Sequence, residues 1–204
     1  METKGRELLI IFYRNPEAGR VKTRLAATIG NEDALRVYLE LCMHARQITE
    51  NVAVSKVIFY TEQIQSNDIW PDDLYQKELQ SGSDLGARMH NSFEWGFNNG
   101  FDSICIIGTD CLELSSEIIK DAFTALRSND VVIGPAVDGG YYLLGMRRLH
   151  SNFFTGKRWS TETVFADTVK DLISEGATYV QLPRLRDVDV EADIPPELSH
   201  KLKQ

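Results

Sequence analysis

The sequence predicts an α/β fold: a single domain with a mostly parallel central sheet and helices on both faces. Three observations predict it. Short unbroken apolar runs, such as Leu8-Leu9-Ile10-Ile11-Phe12 and Ile104-Cys105-Ile106-Ile107, have the pattern of strands buried on both sides. Segments with helical spacing alternate with these runs, as crossover connections between parallel strands require. Of the 204 residues, 43% are hydrophobic and 9% aromatic, enough for an ordinary core, which excludes disordered and fibrous classes. No internal repeat or low-complexity linker divides the chain, so residues 1–204 are read as one domain.

The first strand is Leu8 to Phe12. Asn15-Pro16 and Gly19 follow as a loop, because a residue before proline is pushed out of helix space. Asn31 reads as a helix N-cap with Glu32 and Asp33 in the first turn. Leu35, Tyr38, Leu39, Cys42 and Ile48 then mark one buried helix face. Val54 to Tyr60 is the second strand. Residues 62–83 are irregular, with a turn at Trp70-Pro71-Asp72 and a short strand near Leu79. A helix from Asp84 to about Asn98 closes at Gly100, and the strand Ile104–Ile107 ends abruptly at Gly108-Thr109-Asp110. Ser115 or Ser116 caps a helix to Leu126. Val131–Ile133 and Tyr141–Leu144 are strands separated by Pro135 to Gly140. A helix at about 162–174 and a strand at Tyr179–Leu182 complete the alternation.

Charge narrows the ligand. The chain carries 22 Lys and Arg against 30 Asp and Glu, a formal charge of −8. This excludes a general nucleic-acid or membrane-surface binder, so an anionic ligand needs a local cluster of cations. No apolar run approaches the roughly 20 residues of a membrane helix. The segment Met1 to Glu7 is charged, and Leu8–Phe12 is shorter than a signal-peptide core. The cysteines Cys42, Cys105 and Cys111 form an odd set without C-x-x-C spacing, as in a reducing compartment. A cytoplasmic protein is expected.

In a parallel sheet the ligand crevice lies beyond the carboxyl ends of the strands. After the first strand, Arg14 to Arg24 holds four cations (Arg14, Arg20, Lys22, Arg24) and one acid, with Gly19 among them. This is either a phosphate-binding loop or a solvated basic one. After Ile107, Asp110 is placed to hold Mg²⁺ or Mn²⁺, or else only turns the chain. Asp138-Gly139-Gly140-Tyr141-Tyr142 is either a hairpin or a grip on a sugar or nucleotide. Asp187, Asp189 and Glu191 alternate, so an extended segment would put them on one face, either exposed or bridged by a metal. His44, His90, His150 and His200 lack ligand spacing, and no zinc is assigned. Cys105 is a core residue, Cys111 lacks the cues of a nucleophile, and Ser160 and Thr161 are loop or cap residues.

Six stretches carry a resemblance. They are Gly19-Arg20-Val21-Lys22-Thr23-Arg24-Leu25, Asp84-Leu85-Gly86-Ala87-Arg88-Met89, Gly108-Thr109-Asp110-Cys111, Pro135 to Tyr142, Trp159-Ser160-Thr161 and Asp187-Val188-Asp189. In this order, across nearly the whole chain, they resemble the nucleotide-diphospho-sugar transferase superfamily (GT-A type), and within it a bacterial family of glycosyltransferases. The first and last also look like those of cofactor-building guanylyltransferases. Leu112 stands where the family usually has proline, Ser83 where it has glycine, and Cys111 where an Asp-x-Asp site has its second aspartate. None of these changes removes the charge of Asp110.

The resemblance implies Asp110 and Asp189 as ligands of Mg²⁺ or Mn²⁺. It implies nucleotide contacts at Arg14, Gly19, Arg20, Lys22, Arg24, Asp84, Gly108 and Thr109, with Lys22 and Arg24 clamping the phosphates. Gly139, Gly140, Tyr141 and Trp159 are expected at the substrate, although a buried tryptophan is the plainer reading of Trp159. Asp138 is the candidate base or donor-sugar contact. The expected activity is metal-dependent glycosyl transfer from a nucleotide sugar to a small-molecule acceptor. Nucleotidyl transfer from a nucleoside triphosphate to a phosphorylated small molecule is the alternative, and a non-catalytic nucleotide sensor is the third reading.

Overall fold

The first apolar run forms β1 (Glu7–Tyr13) in the middle of a seven-stranded sheet, with Leu8 to Ile11 fully buried. The computed structural model describes residues 6–196, 198 and 199. The charged N-terminal segment up to Gly5, and His200, lie outside the described residues. After β1 come two helices, α1 (Thr23–Ile29) and α2 (Asn31–Glu50), and the strands β2 (Ser55–Tyr60) and β3 (Gln76–Leu79). Next are α3 (Leu85–Asn98), β4 (Ser103–Ile107), α4 (Ser116–Leu126), β5 (Val131–Pro135) and β6 (Tyr141–Met146). Then follow a 3₁₀ turn at Ser151–Phe154, α5 (Val164–Ser174), β7 (Tyr179–Gln181) and a second 3₁₀ turn at Glu191–Asp193.

The strand order is β3-β2-β1-β4-β6-β5-β7. β1 pairs in parallel with β2 and β4, β2 with β3, and β5 with β7. β6 alone among the described strands runs antiparallel to both its neighbours, β4 and β5. Two apolar layers sandwich the sheet. On one face α2 and α4 bury Tyr38, Cys42, Ile119 and Phe123 against Leu9, Ile11 and Cys105. On the other, Met89 and Phe93 of α3 and Leu172 of α5 pack on Leu8, Ile10, Ile104 and Ile133. β1 and β4 therefore supply alternate side chains to both layers, which is why their sequences are continuously apolar.

Three local expectations are corrected. The stretch after Lys22, read as loop, is the helix α1, started by Lys22 in a left-handed conformation (φ 46°). Gly30, not Asn31, occupies the cap position of α2, because the sharp turn between two consecutive helices needs a positive φ of 87° that glycine tolerates. Leu39 lies on the exposed side of α2, whose inner face is Ala34, Val37, Tyr38, Leu41, Cys42, Ala45 and Ile48. Elsewhere the caps follow the residues: Asp84 accepts from Ala87 N at 2.9 Å and Ser115 from Ile118 N at 3.3 Å. Among the described residues no helix is long and apolar enough to cross a membrane.

Phe93 lies at the centre of the second layer, fully buried and tilted against Phe154 with ring centroids 5.7 Å apart. Phe93→Ala is expected to destabilise the fold by about 3–5 kcal/mol, read from urea denaturation at unchanged slope.

Candidate active site

Beyond the carboxyl ends of β1 and β4 lies a cleft of about 700 Å³, within the size range of small-molecule sites. Three segments distant in sequence are stitched together at its floor. Val188 N donates to Asp110 O at 3.0 Å, joining the acidic C-terminal segment to the end of β4. Val137 N donates to Leu185 O at 2.9 Å, and Leu185 N to Pro135 O at 3.1 Å, joining that segment to the end of β5. Asp193 Oδ2 accepts from the backbone N–H groups of Asp189 (3.2 Å) and Val190 (3.1 Å), and Arg186 pairs with the same carboxylate. The backbone of Asp189 is therefore held by its own chain.

The ammonium of Lys22 is shared by two of these segments. Nζ lies 3.0 Å from Asp189 Oδ1 and 3.1 Å from Asp110 Oδ1, and the Lys22 side chain is only 6% exposed. Burial works against the charged form of Lys22, but attraction to Asp110 and Asp189, with hydrogen bonds to both, outweighs it and raises its pKa. Arg24 Nη1 lies 3.8 Å from Asp189 Oδ2 with its guanidinium largely in solvent. Asp187 lines the same cleft. Burial first, then repulsion from Asp110 and Asp138, pushes its carboxyl up to about 7.

Most of the residues expected at the site line the cleft: Arg14, Lys22, Arg24, Asp84, Gly108, Thr109, Asp110, Asp138, Gly140, Tyr141, Trp159 and Asp189. Gly19, Arg20 and Gly139 are not among its lining residues. Arg20 points away to Glu17 and Glu62, 3.3 and 3.2 Å distant. Gly139 (φ 90°) presses on the next segment, where a Cβ would fall 2.1 Å from Glu162 O, so its bareness serves a close backbone approach. Asp84 lines the wall while one carboxylate oxygen is already engaged as the α3 cap. Trp159 is half-buried, packs closely on α3 at Gly86, where a Cβ would meet the indole at 2.4 Å, and lines the cleft. Tyr141 O–H donates to Met89 Sδ at 3.7 Å, beside the same wall. Glu191 turns outward in the 3₁₀ turn and does not join Asp187 and Asp189.

Sequence reasoning did not assign Arg88 or Tyr38 to the site, and it left Asp187 open between an exposed acid and one bridged by a metal. Asp187 was visible as one of three alternating acids, and Arg88 within the stretch opening α3. Tyr38 was read only as a helix-face residue, yet its hydroxyl accepts from Arg14 N at 3.0 Å and donates to Arg14 O at 2.7 Å, fixing where the basic loop leaves β1. Cys111 is buried and its thiol is pushed up to about 12, chiefly by burial, so it offers no thiolate at neutral pH. His44, His90 and His150 bond separately to Leu114 O, Ser151 Oγ and Glu175 Oε2.

Among the described residues no three His, Cys, Asp or Glu side chains are grouped so as to hold a metal ion. Magnesium, however, usually takes only one or two protein carboxylates, with phosphate and water completing its shell. Asp110 and Asp189 already converge on one cation, the Lys22 ammonium, and offer it hard oxygens. That donor set fits Mg²⁺ or Mn²⁺ better than a softer metal.

Residues 44–161 match the model of a family described as "Uncharacterized protein conserved in bacteria (DUF2064)". The chain belongs to that family. The matched stretch of this DUF2064 chain takes in Asp84, Asp110, Asp138 and Trp159 and leaves out Lys22 and Asp189. No curated protein matches the chain. Among solved structures, a protein from Desulfovibrio desulfuricans G20, assigned provisionally as a nucleotide-diphospho-sugar transferase, is 30% identical over 92% of this chain and 84% of its own, with a TM-score of 0.83. The 4-diphosphocytidyl-2C-methyl-D-erythritol synthase of Anaerococcus prevotii DSM 20548 is 9% identical and covers 98% of this chain and 97% of its own (TM-score 0.59). A CMP:2-keto-3-deoxy-manno-octonic acid synthetase in complex with CTP is likewise 9% identical, covering 97% and 99% (TM-score 0.58). The last two establish likeness of fold alone. The DUF2064 chain thus has the fold shared by nucleotide-diphospho-sugar transferases and cytidylyltransferases.

Asp187 ionises near 3.8 ordinarily and near 7 in the folded chain, so the folded state binds the extra proton between those values. Its contribution to stability is full below about pH 4 and is lost as pH rises through 7. Asp187→Asn is expected to raise the melting temperature by several degrees at pH 8, at roughly 2–4 °C per kcal/mol for a chain of this size. At pH 4 it should leave the melting temperature unchanged. Melting curves at the two pH values test the sign.

Proposed function

We propose that the chain transfers a glycosyl group from a nucleoside diphosphate sugar to an acceptor hydroxyl, with Mg²⁺ or Mn²⁺ as cofactor. The observation that carries this reading is the Lys22 ammonium lodged between Asp110 and Asp189 at the sheet's carboxyl rim. Cations for a diphosphate and oxygens for a divalent ion are thereby brought to one place, across a cleft from an aromatic wall. The 30% identical Desulfovibrio protein supports the same reading.

In this mechanism Lys22 and Arg24 bind the diphosphate, and Arg14 and Arg88 add positive charge to the same cleft. Asp110 and Asp189 would hold the divalent ion, which when bound would supply Lewis-acid neutralisation of the leaving diphosphate. As the bond between the anomeric carbon and the diphosphate oxygen breaks, the electron pair stays with that oxygen. Lys22 and Arg24 then stabilise charge that develops only in the transition state. The acceptor oxygen bonds to the anomeric carbon, and its proton passes to Asp138. One oxygen of that carboxylate is already oriented by Gly140 N at 2.9 Å, which leaves the other for the proton. Trp159 and Tyr141 offer flat apolar faces against which a sugar ring can lie and exclude water.

A panel of nucleotide sugars incubated with Mn²⁺, with release of nucleoside diphosphate followed, tests the proposal. Asp110→Asn is expected to lower turnover about 100-fold or more while the circular dichroism spectrum stays native. Pyrophosphate release from nucleoside triphosphates with a phosphorylated acceptor, without turnover of any nucleotide sugar, would replace glycosyl by nucleotidyl transfer. Tight nucleotide binding without any turnover would leave only a sensor.

A further inference from the structure

Lys22 is the N-cap of α1 with a left-handed backbone, and its side chain is almost wholly buried among acids. A phosphate-binding lysine awaiting its ligand is ordinarily solvated; here the ammonium already has two carboxylates within 3.1 Å. Those oxygens, Asp110 Oδ1 and Asp189 Oδ1, belong to the two residues read above as metal ligands. An ammonium and a dication placed among the same oxygens repel strongly in a partly buried site. The flexible four-carbon stem of lysine allows the head group to leave while the backbone stays anchored at the start of α1.

We infer that Lys22 and the divalent cation are alternative occupants of one site, the ammonium holding Asp110 and Asp189 together until the metal displaces it toward the diphosphate. The inference rests on the assignment of Asp110 and Asp189 as metal ligands. Its consequence is coupling. Without nucleotide, the displaced ammonium has no partner to replace two carboxylates, and metal binds weakly. With a diphosphate present it gains one, so metal and nucleotide strengthen each other's binding by the same factor. The two carboxylates on Lys22 outnumber it, and Asp138 lines the same cleft, so a dication is the better match once it enters.

Mn²⁺ binding measured by electron paramagnetic resonance tests the exchange without recourse to activity. The proteins compared are the unaltered chain, Lys22→Met, Lys22→Asn and Asp110→Asn. Asparagine tolerates the left-handed backbone at this position, so it guards against a methionine variant that fails to fold. With Mn²⁺ alone, both Lys22 variants are expected to bind about tenfold more tightly than the unaltered chain. Added UDP, CDP or GDP should then strengthen Mn²⁺ binding less in the variants than in the unaltered chain. Equal or weaker Mn²⁺ binding by the folded Lys22 variants overturns the exchange and leaves the metal site standing. Mn²⁺ binding absent in every protein, with or without nucleotide, or undiminished in Asp110→Asn, overturns the metal assignment and the exchange with it.

Discussion

One buried ammonium ties the functional end of this molecule together. Lys22 follows β1, Asp110 follows β4 and Asp189 belongs to the C-terminal segment, and the three meet only because the sheet brings their backbones to one rim. The backbone bonds from Val188 to Asp110 and from Val137 to Leu185 bring the peptide chains close. The ammonium then neutralises the carboxylates that this closeness forces together. Asp187, close by, is pushed up to about 7 by burial first and by repulsion from Asp110 and Asp138 second. On the proposed function, the site before its ligands arrive is an electrostatically unfavourable piece of protein.

The fold is legible in the sequence wherever one physical requirement dominates. β1 and β4 are buried on both faces, so every residue of their cores is apolar and the runs stand out from their polar surroundings. β3 is short and lies at the sheet's edge with its residues half exposed, so only Leu79 hinted at it. The antiparallel course of β6 could have been read from its loop. The five residues from Ala136 to Gly140 are too few for the crossover that a parallel neighbour of β5 would need. The strand order is set by which helices cover which face, and that is tertiary packing with no local signature.

The site was legible in part because sheet geometry directs attention to residues just past each strand. Asp110, Asp138 and the Lys22 segment were found by that rule and do line the cleft. Its limit is that adjacency in sequence does not say which way a side chain points. Arg20, two residues before Lys22, pairs outward with Glu17 and Glu62. Glu191 continues the alternation of Asp187 and Asp189 in the sequence, yet the chain leaves the extended conformation there for a 3₁₀ turn. Tyr38 looked like any other apolar position on α2 because its phenol ring packs in the core while its hydroxyl alone reaches Arg14.

The contact between Gly139 and Glu162 has a mechanical meaning. Phe165 N donates to Gly139 O at 2.9 Å, and the missing side chain at Gly139 lets the two backbones touch. The segment bearing Asp138 is thus clamped to the one that leads on from Trp159. The acidic and aromatic sides of the cleft are therefore joined through backbone, behind the side chains that line it.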